Sequence, residues 1–272
     1  MHAGPLPTFL IIGAPKSGTT TLSDFLRFSP DVYIPPRKEI HFFTRFYDRG
    51  ERWYREQFAD GSGAVAVGEA SPEYLFRIHA HERMASVVPD AKLVAIFRNP
   101  VERAYSQYWY LRSQGVNAPS FEDLARAEMK GEVGRPALLS VGYYAAQIEH
   151  LTQYYDRENL LVLLLDDLQT DPEGVLRTLS GFVGVEPPPI SQARASNKAM
   201  EFRSLRLFRL MRRWKAWERL PFGLGSRLDA LNRKPMAYQA MDPRLRRELV
   251  DHFTAHNEAL ARLLDRDLSA WD

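Results

Sequence analysis

Chemistry in this 272-residue chain concentrates in a few short stretches. The first is Gly13-Ala14-Pro15-Lys16-Ser17-Gly18-Thr19-Thr20. Its two glycines let the backbone turn tightly and bring N–H groups close to an anion. Lys16 adds a full charge inside the loop, and Ser17, Thr19 and Thr20 add hydroxyl donors. This pattern reads as a phosphate-binding loop, but not of the Walker A kind, in which the lysine directly follows the second glycine. Thr19 holds that place here, so the cation meets its ligand from another side. A glycine turn in an ordinary α/β unit and a deviant nucleoside-triphosphate loop are the competing readings. Further along, Glu69 precedes Ser71-Pro72 and is a candidate general base. Its plain alternative is a solvated loop charge. Arg98 and Ser106 are placed to hold a second phosphate through one charge-assisted and one neutral hydrogen bond. The plain alternative for Arg98 is a salt bridge.

These side chains need a scaffold, and the apolar pattern supplies one. Phe9-Leu10-Ile11-Ile12, Ala64-Val65-Ala66-Val67, Lys92-Leu93-Val94-Ala95-Ile96-Phe97 and Leu160–Leu165 read as short buried strands. Helix starts follow them. One opens at Thr19 or Thr20, one has Ser71 as cap with Pro72 at the first position, and one has Asn99, Pro100 and Glu102 in capping order. Asp171-Pro172 and Asp242-Pro243 start two more, the latter running towards Leu264. Strands alternating with helices predict an α/β protein: a single domain over 1–272 with a central parallel β-sheet flanked by helices. Lys16, Glu69 and Arg98 then all emerge at the carboxyl ends of strands, the edge where open α/β sheets bind ligands. Residues 117–136 read as a polar surface excursion that would serve as a lid, with one short helical stretch at Phe121–Leu124. Lys38–Phe43 and Trp53–Phe58 are dense in rings and charges without clean periodicity. They read either as loops packed by their own rings or as walls of an acceptor pocket. Arg203–Lys215 has apolar residues at helical spacing and a basic opposite face, which would be solvated, touch a cofactor phosphate or face a membrane surface or acidic partner.

Composition narrows the class. A hydrophobic share of 45% and a charged share of 26% are those of an ordinary globular protein. A net charge of +2 does not argue for nucleic acid but suits a polyanionic ligand. The absence of cysteine excludes disulfides and thiolate metal sites and favours a reducing compartment. The first residues lack a basic region followed by an apolar one, and no apolar stretch approaches the roughly 20 residues of a membrane span, so a cytoplasmic location is expected. Oligomeric state is left open by the sequence.

With these segments placed, the chain resembles sulfotransferases that use 3′-phosphoadenosine 5′-phosphosulfate (PAPS), both the bacterial enzymes and the heparan sulfate group. The likeness rests on Ala14–Leu22, Lys38-Glu39-Ile40-His41-Phe42-Phe43, Glu69-Ala70-Ser71-Pro72-Glu73-Tyr74 and Ile96–Ser106, with Gly142-Tyr143-Tyr144 and Asp171-Pro172 matching later parts of the pattern. The resemblance implies sulfuryl transfer without a required metal. Lys16, Ser17, Gly18, Thr19 and Thr20 would bind the 5′-phosphosulfate. Arg98 and Ser106 would bind the 3′-phosphate, and Lys198, Arg203 and Ser204 would close over the cofactor from segment 190–235. Glu69 would be the catalytic base and Lys16 the stabiliser of the leaving phosphate. Lys38, His41, Phe42, Tyr74 and Tyr143 would line the pocket of a small-molecule, lipid or sugar acceptor. Two departures matter. Ile40 stands where many relatives have proline, and the anchor and cysteines of Golgi members are missing, so a polysaccharide substrate does not carry over. A P-loop kinase, with Asp166 ending a Walker B-like strand, and a non-catalytic nucleotide-binding adaptor are the alternatives.

Overall fold

The structure, a computed structural model, describes residues 4–37, 39–132, 136–189, 200–202, 233–235 and 239–272. Five strands form one parallel sheet: β1 (Phe9–Gly13), β2 (Val32–Tyr33), β3 (Ala66–Ala70), β4 (Lys92–Phe97) and β5 (Leu160–Leu164), in the order β2-β3-β1-β4-β5. β1 is the middle strand and every one of its residues is buried. A strand covered on both faces has no use for polar alternation, which is why it reads as an unbroken apolar run. Its side chains nevertheless divide by parity. Leu10 and Ile12 join Leu93, Ala95 and Phe97 in one core layer, while Phe9 and Ile11 join Val94 and Ile96 in the other.

Helices cover each layer. On the second face lie α1 (Thr19–Leu26), through Leu22, Phe25 and Leu26, and α10 (Pro172–Val183), through Val175, Leu176 and Leu179. On the first lie the short helices α2 (Phe42–Arg45), α3 (Gly50–Glu56) and α4 (Glu73–Phe76), followed by α5 (His79–Val87) and α8 (Tyr144–Leu151). The ring-dense stretches are therefore short helices whose rings are core: Phe42, Phe43, Tyr54, Phe58 and Tyr74 are all buried. A third cluster joins α6 (Pro100–Ser113), α7 (Phe121–Met129) and the C-terminal helix Pro243–Leu264 through Ala104, Phe121, Leu124, Leu249 and Phe253. The stretch read as a surface excursion thus carries a nine-residue helix with Phe121, Leu124 and Ala125 packed inward. Residues 200–202 and 233–235 pair as antiparallel strands, which the sequence does not announce. The basic helix expected near 203–219 lies outside the described residues.

Most caps are where the sequence puts them. Asn99 Oδ1 accepts from the Val101 and Glu102 amides, Asp171 from Gly174, and Asp242 from Arg244 and Leu245. Ser71 is the exception. α4 begins at Glu73 with Pro72 in the capping position and no side-chain cap, because the Ser71 hydroxyl turns back to Glu69 instead.

One buried pair makes stability pH-dependent. His81 is fully buried on α5, and its Nε2 donates to the Leu75 carbonyl at 2.9 Å. A carbonyl only accepts, so Nδ1 of His81 is the acceptor for His150 Nδ1, 2.9 Å away. Burial lowers the His81 pKa to about 4. The unfolded chain therefore binds more protons than the folded one between about pH 6.5 and pH 4, and stability falls as pH is lowered through that window. The loss is on the order of 3 kcal/mol at its fullest. Thermal melts from pH 7 to pH 4 should show this decline, and the slope should shrink in His81→Gln.

Candidate active site

The loop after β1 sits at the point where the chain changes sides. β2 and β3 lie on one flank of β1, β4 and β5 on the other, and such switch points open a crevice beyond the strand ends. Gly13 closes β1 so near to α4 that a Cβ there would stand 2.7 Å from Leu75 Cβ. Lys16 (φ 69°) and Gly18 (φ 108°) are both left-handed, the backbone form from which anion nests are built, while the Ala14 and Ser17 amides are taken by the carbonyls of Ile96 and Ala14. Gly18 also occupies the capping position of α1, so the positive end of that helix faces the same space. Ser17 is fully buried beside the Tyr144 hydroxyl; that hydroxyl donates to the Arg98 carbonyl at 3.0 Å, and Ser17 Oγ is left without a hydrogen bond of good geometry. A buried hydroxyl so placed, in a loop with left-handed backbone, suits an anionic ligand. Lys16 Nζ lies 4.2 Å from the centre of the Tyr110 ring on α6. Thr19 is buried and Thr20 half-buried on the first turn of α1.

Arg98 follows β4 and reaches the same loop, its guanidinium donating to the Lys16 carbonyl at 3.4 Å and lying 3.8 Å from Glu102. Ser106, two turns into α6, is buried. Tyr144, which fixes the Arg98 backbone, is held from behind. The fully buried Arg103 donates to the Leu138 carbonyl, and Glu128 accepts from the amides of Leu138, Leu139 (2.9 Å) and Ser140 (3.1 Å). That clamp sets the turn that leads into α8. Burial lowers the Arg103 pKa, and the Tyr144 and Glu128 side chains oppose the shift.

The carboxylates on the other flank of β1 differ sharply in access. Glu69 is the penultimate residue of β3 and is 2% exposed. Its Oε1 accepts from the hydroxyls of Tyr54 (2.7 Å) and Tyr74 (2.9 Å), and its Oε2 from Ser71 (2.6 Å). Burial raises its pKa, and the three hydroxyl bonds work against that rise. It is neither the solvated charge nor the reachable base that its position suggests. Glu39, in contrast, has a side chain 39% exposed, with Oε2 3.2 Å from His41 Nε2. Glu39 (φ 58°) and His41 (φ 56°) are both left-handed without being glycine, a costly backbone of the sort that collects at functional sites. His41 is itself buried, and its Nδ1 makes no hydrogen bond.

The structure therefore groups Lys16, Ser17, Gly18, Thr19, Thr20 and Arg98 around one loop, with Ser106 on the helix that Arg98 leads into. It separates the expected pocket walls. Phe42 is 1% exposed and stacks on Tyr54, 4.3 Å between centres; Tyr74 is wholly buried against Glu69; neither can meet an acceptor. Tyr143 bonds to His252 Nε2 at 2.9 Å and stacks on His256, both on the C-terminal helix. Lys38, Lys198, Arg203 and Ser204 lie outside the described residues. Asp166, the Walker B candidate, sits in the first turn of α9 (Leu165–Thr170) and accepts from Trp271 Nε1 at 2.7 Å, so its position is explained by the chain terminus it holds. Glu39 is the residue that reading by type and spacing passed over. It stood inside the Lys38–Phe43 block, where the only available signal was its nearness to His41. Among the described residues, no group of three or more His, Asp or Glu side chains is placed to hold a metal ion, and no helix is long and apolar enough to cross a membrane.

Comparison with known proteins finds sulfotransferases. The sulfotransferase domain family model matches residues 6–215. The crystal structure of a sulfotransferase from Alicyclobacillus acidocaldarius is 31% identical and superposes with a TM-score of 0.72, over 98% of this chain and 99% of that one. Human heparan sulfate glucosamine 3-O-sulfotransferase 6 is 34% identical over 181 residues, 66% of this chain and 53% of that protein. The chain thus spans about half the length of that relative. A mouse sulfotransferase solved with 3′-phosphoadenosine 5′-phosphate (PAP) shares the fold at 15% identity and a TM-score of 0.54, covering 96% of this chain and 88% of that one. With the phosphate loop at the switch point of a parallel sheet and a family match across most of its length, the chain belongs to the sulfotransferase family.

Proposed function

We propose that the chain transfers the sulfuryl group of PAPS to a hydroxyl, in preference to an amine, of a small-molecule, lipid or sugar acceptor. The observation that carries this reading is the loop of Lys16–Thr20: left-handed backbone at Lys16 and Gly18, a helix start, a buried Ser17 hydroxyl lacking a hydrogen bond of good geometry, and the cations Lys16 and Arg98 after adjacent strands. Bound PAPS supplies a sulfuryl group on a phosphate leaving group. The loop amides, Ser17, Thr19 and Thr20 hold that phosphate, and Lys16 neutralises the charge that builds on the bridging oxygen. Arg98 and Ser106 hold the 3′-phosphate, and Lys198, Arg203 and Ser204 of segment 190–235 are assigned to closing over the cofactor. Fixing both ends of the nucleotide orients the sulfur for in-line attack, which is where most of the rate advantage of such transfers arises.

The proton must go to a carboxylate that the acceptor can reach. Glu39 satisfies this and Glu69 does not, so Glu39 is assigned as the general base, with His41 orienting its carboxylate. The family relatives act on glucosamine of heparan sulfate by their names, and a sugar acceptor is one of the three classes left open here. Neutralisation by Lys16, Arg98 and backbone amides gives the chemistry a route that needs no metal.

Calorimetric titration with PAP, against ATP plus Mg²⁺, tests the reading. PAP should bind and Arg98→Ala should weaken it about 10- to 100-fold, the value of a charge-assisted bond. Preference for ATP with magnesium, indifferent to Arg98, would return the kinase reading. In a turnover assay with PAPS, Glu39→Gln should lower kcat by roughly 10²- to 10⁴-fold while leaving PAP affinity unchanged.

A further inference from the structure

Glu69 is an unusual group to bury. Among the described residues no arginine or lysine pairs with it, yet it is 2% exposed, near the end of β3 and opposite Leu10 of the central strand. A carboxylate taken out of water costs several kcal/mol unless its lone pairs are satisfied. Three hydroxyls from two separate parts of the chain do that: Tyr54 on α3, and Ser71 and Tyr74 in and after the turn that leaves β3. The two bonds to Oε1 anchor the carboxylate. The bond to Oε2 has a further consequence. The Ser71 hydroxyl has one proton, and giving it to Glu69 leaves its lone pairs pointing away, where the amide of His41 donates to Oγ at 3.1 Å.

His41 is a residue that needs holding. Left-handed backbone at a non-glycine position costs roughly 1–2 kcal/mol, and Glu39 and His41 both adopt it within three residues. The same turn is gripped by its rings: Phe42 stacks flat on Tyr54, and Phe43 meets Tyr54 and Tyr74 edge-on at 5.2 Å. Every group that binds the Glu69 carboxylate thus also touches the turn that presents Glu39 and His41.

We infer that Glu69 is a positioning residue, which acts through the Ser71 hydroxyl, and through Tyr54 and Tyr74, to hold the strained Glu39–His41 turn in the conformation that aims Glu39 at the acceptor. The inference rests on the assignment of Glu39 as the base. It gives a buried carboxylate at the strand end a role without proton transfer, and it gives Tyr54, far from the family's motifs in sequence, a place in the site.

The test uses the full chain and four variants: Ser71→Ala, Ser71→Thr, Glu69→Gln and Glu39→Gln. Hydrogen exchange followed by mass spectrometry reads the turn directly. Peptides covering 39–43 should exchange at least ten times faster in Ser71→Ala and Glu69→Gln, with peptides covering 9–27 unchanged, and Ser71→Thr should restore protection. PAP release from PAPS, with a glucosamine-containing oligosaccharide as acceptor, reads the consequence. Ser71→Ala should lower kcat about ten- to a hundredfold with PAP affinity intact, and Glu69→Gln should keep the acid limb of the wild-type pH profile. Unchanged exchange at 39–43 in both Ser71→Ala and Glu69→Gln would overturn the inference, whether or not turnover is detected. Loss of the acid limb in Glu69→Gln would overturn it too and make Glu69 the base. Unchanged turnover in Glu39→Gln would sink the base assignment alone, leaving the exchange result to decide what holds the turn.

Discussion

β1 has neither a face nor an edge in water. Helices cover it above and below, and parallel partners satisfy its backbone on both sides. A chain leaving such a strand has one way out, past the carboxyl end, and the turn it makes there must satisfy its own amides. The Ala14 amide is taken by the Ile96 carbonyl and the Ser17 amide by the Ala14 carbonyl, and left-handed Lys16 and Gly18 turn the chain into α1. β4 runs past the end of β1, with Gly13 opposite Ala95, and so carries Arg98 to the loop, whereas β3 stops earlier and sets Glu69 opposite Leu10, inside the sheet.

The two flanks of β1 handle charge in opposite ways. On the β4 side the cations are kept near the surface of the crevice. Arg98 leans on a backbone carbonyl and on Glu102, and Lys16 rests over the Tyr110 ring; both can be drawn to a stronger anion. On the β3 side the strand-end charge is sealed in. Glu69 is bound by three hydroxyls and packed among rings, while the side chain of Glu39 is 39% exposed. A rigid, buried inner layer under an exposed outer one is what a site needs when a reacting group must be aimed without being strongly bound.

The same division of labour recurs behind Arg98. Arg103 is wholly buried and has no carboxylate hydrogen-bonded to it among the described residues; its guanidinium bonds to Gln107 and to the Leu138 carbonyl. Arg103 and Glu128 thus both hold the segment at 138–140 that leads towards α8, and Tyr144 at the start of α8 bonds to the backbone of Arg98. Buried polar groups here set geometry at a distance, in keeping with their high cost when left unsatisfied.

What the sequence determined by itself was the local and the periodic. The apolar runs named four of the five sheet strands, missing the two-residue β2, and the Asn99, Asp171 and Asp242 caps named their helices, because each of these depends on residues a few positions apart. The α/β class and the family likeness followed from their order. Tertiary structure alone decided which carboxylate is sealed and which is reachable, since burial depends on rings that arrive from elsewhere: Tyr54 reaches Glu69 across 15 positions, and His41 reaches Ser71 across 30. It decided likewise that Phe42 and Tyr74 are core rather than pocket, and that Asp166 belongs to Trp271 at the far end of the chain. Residue type tells which groups can do chemistry; only the packing of distant segments tells which of them water and substrate can reach.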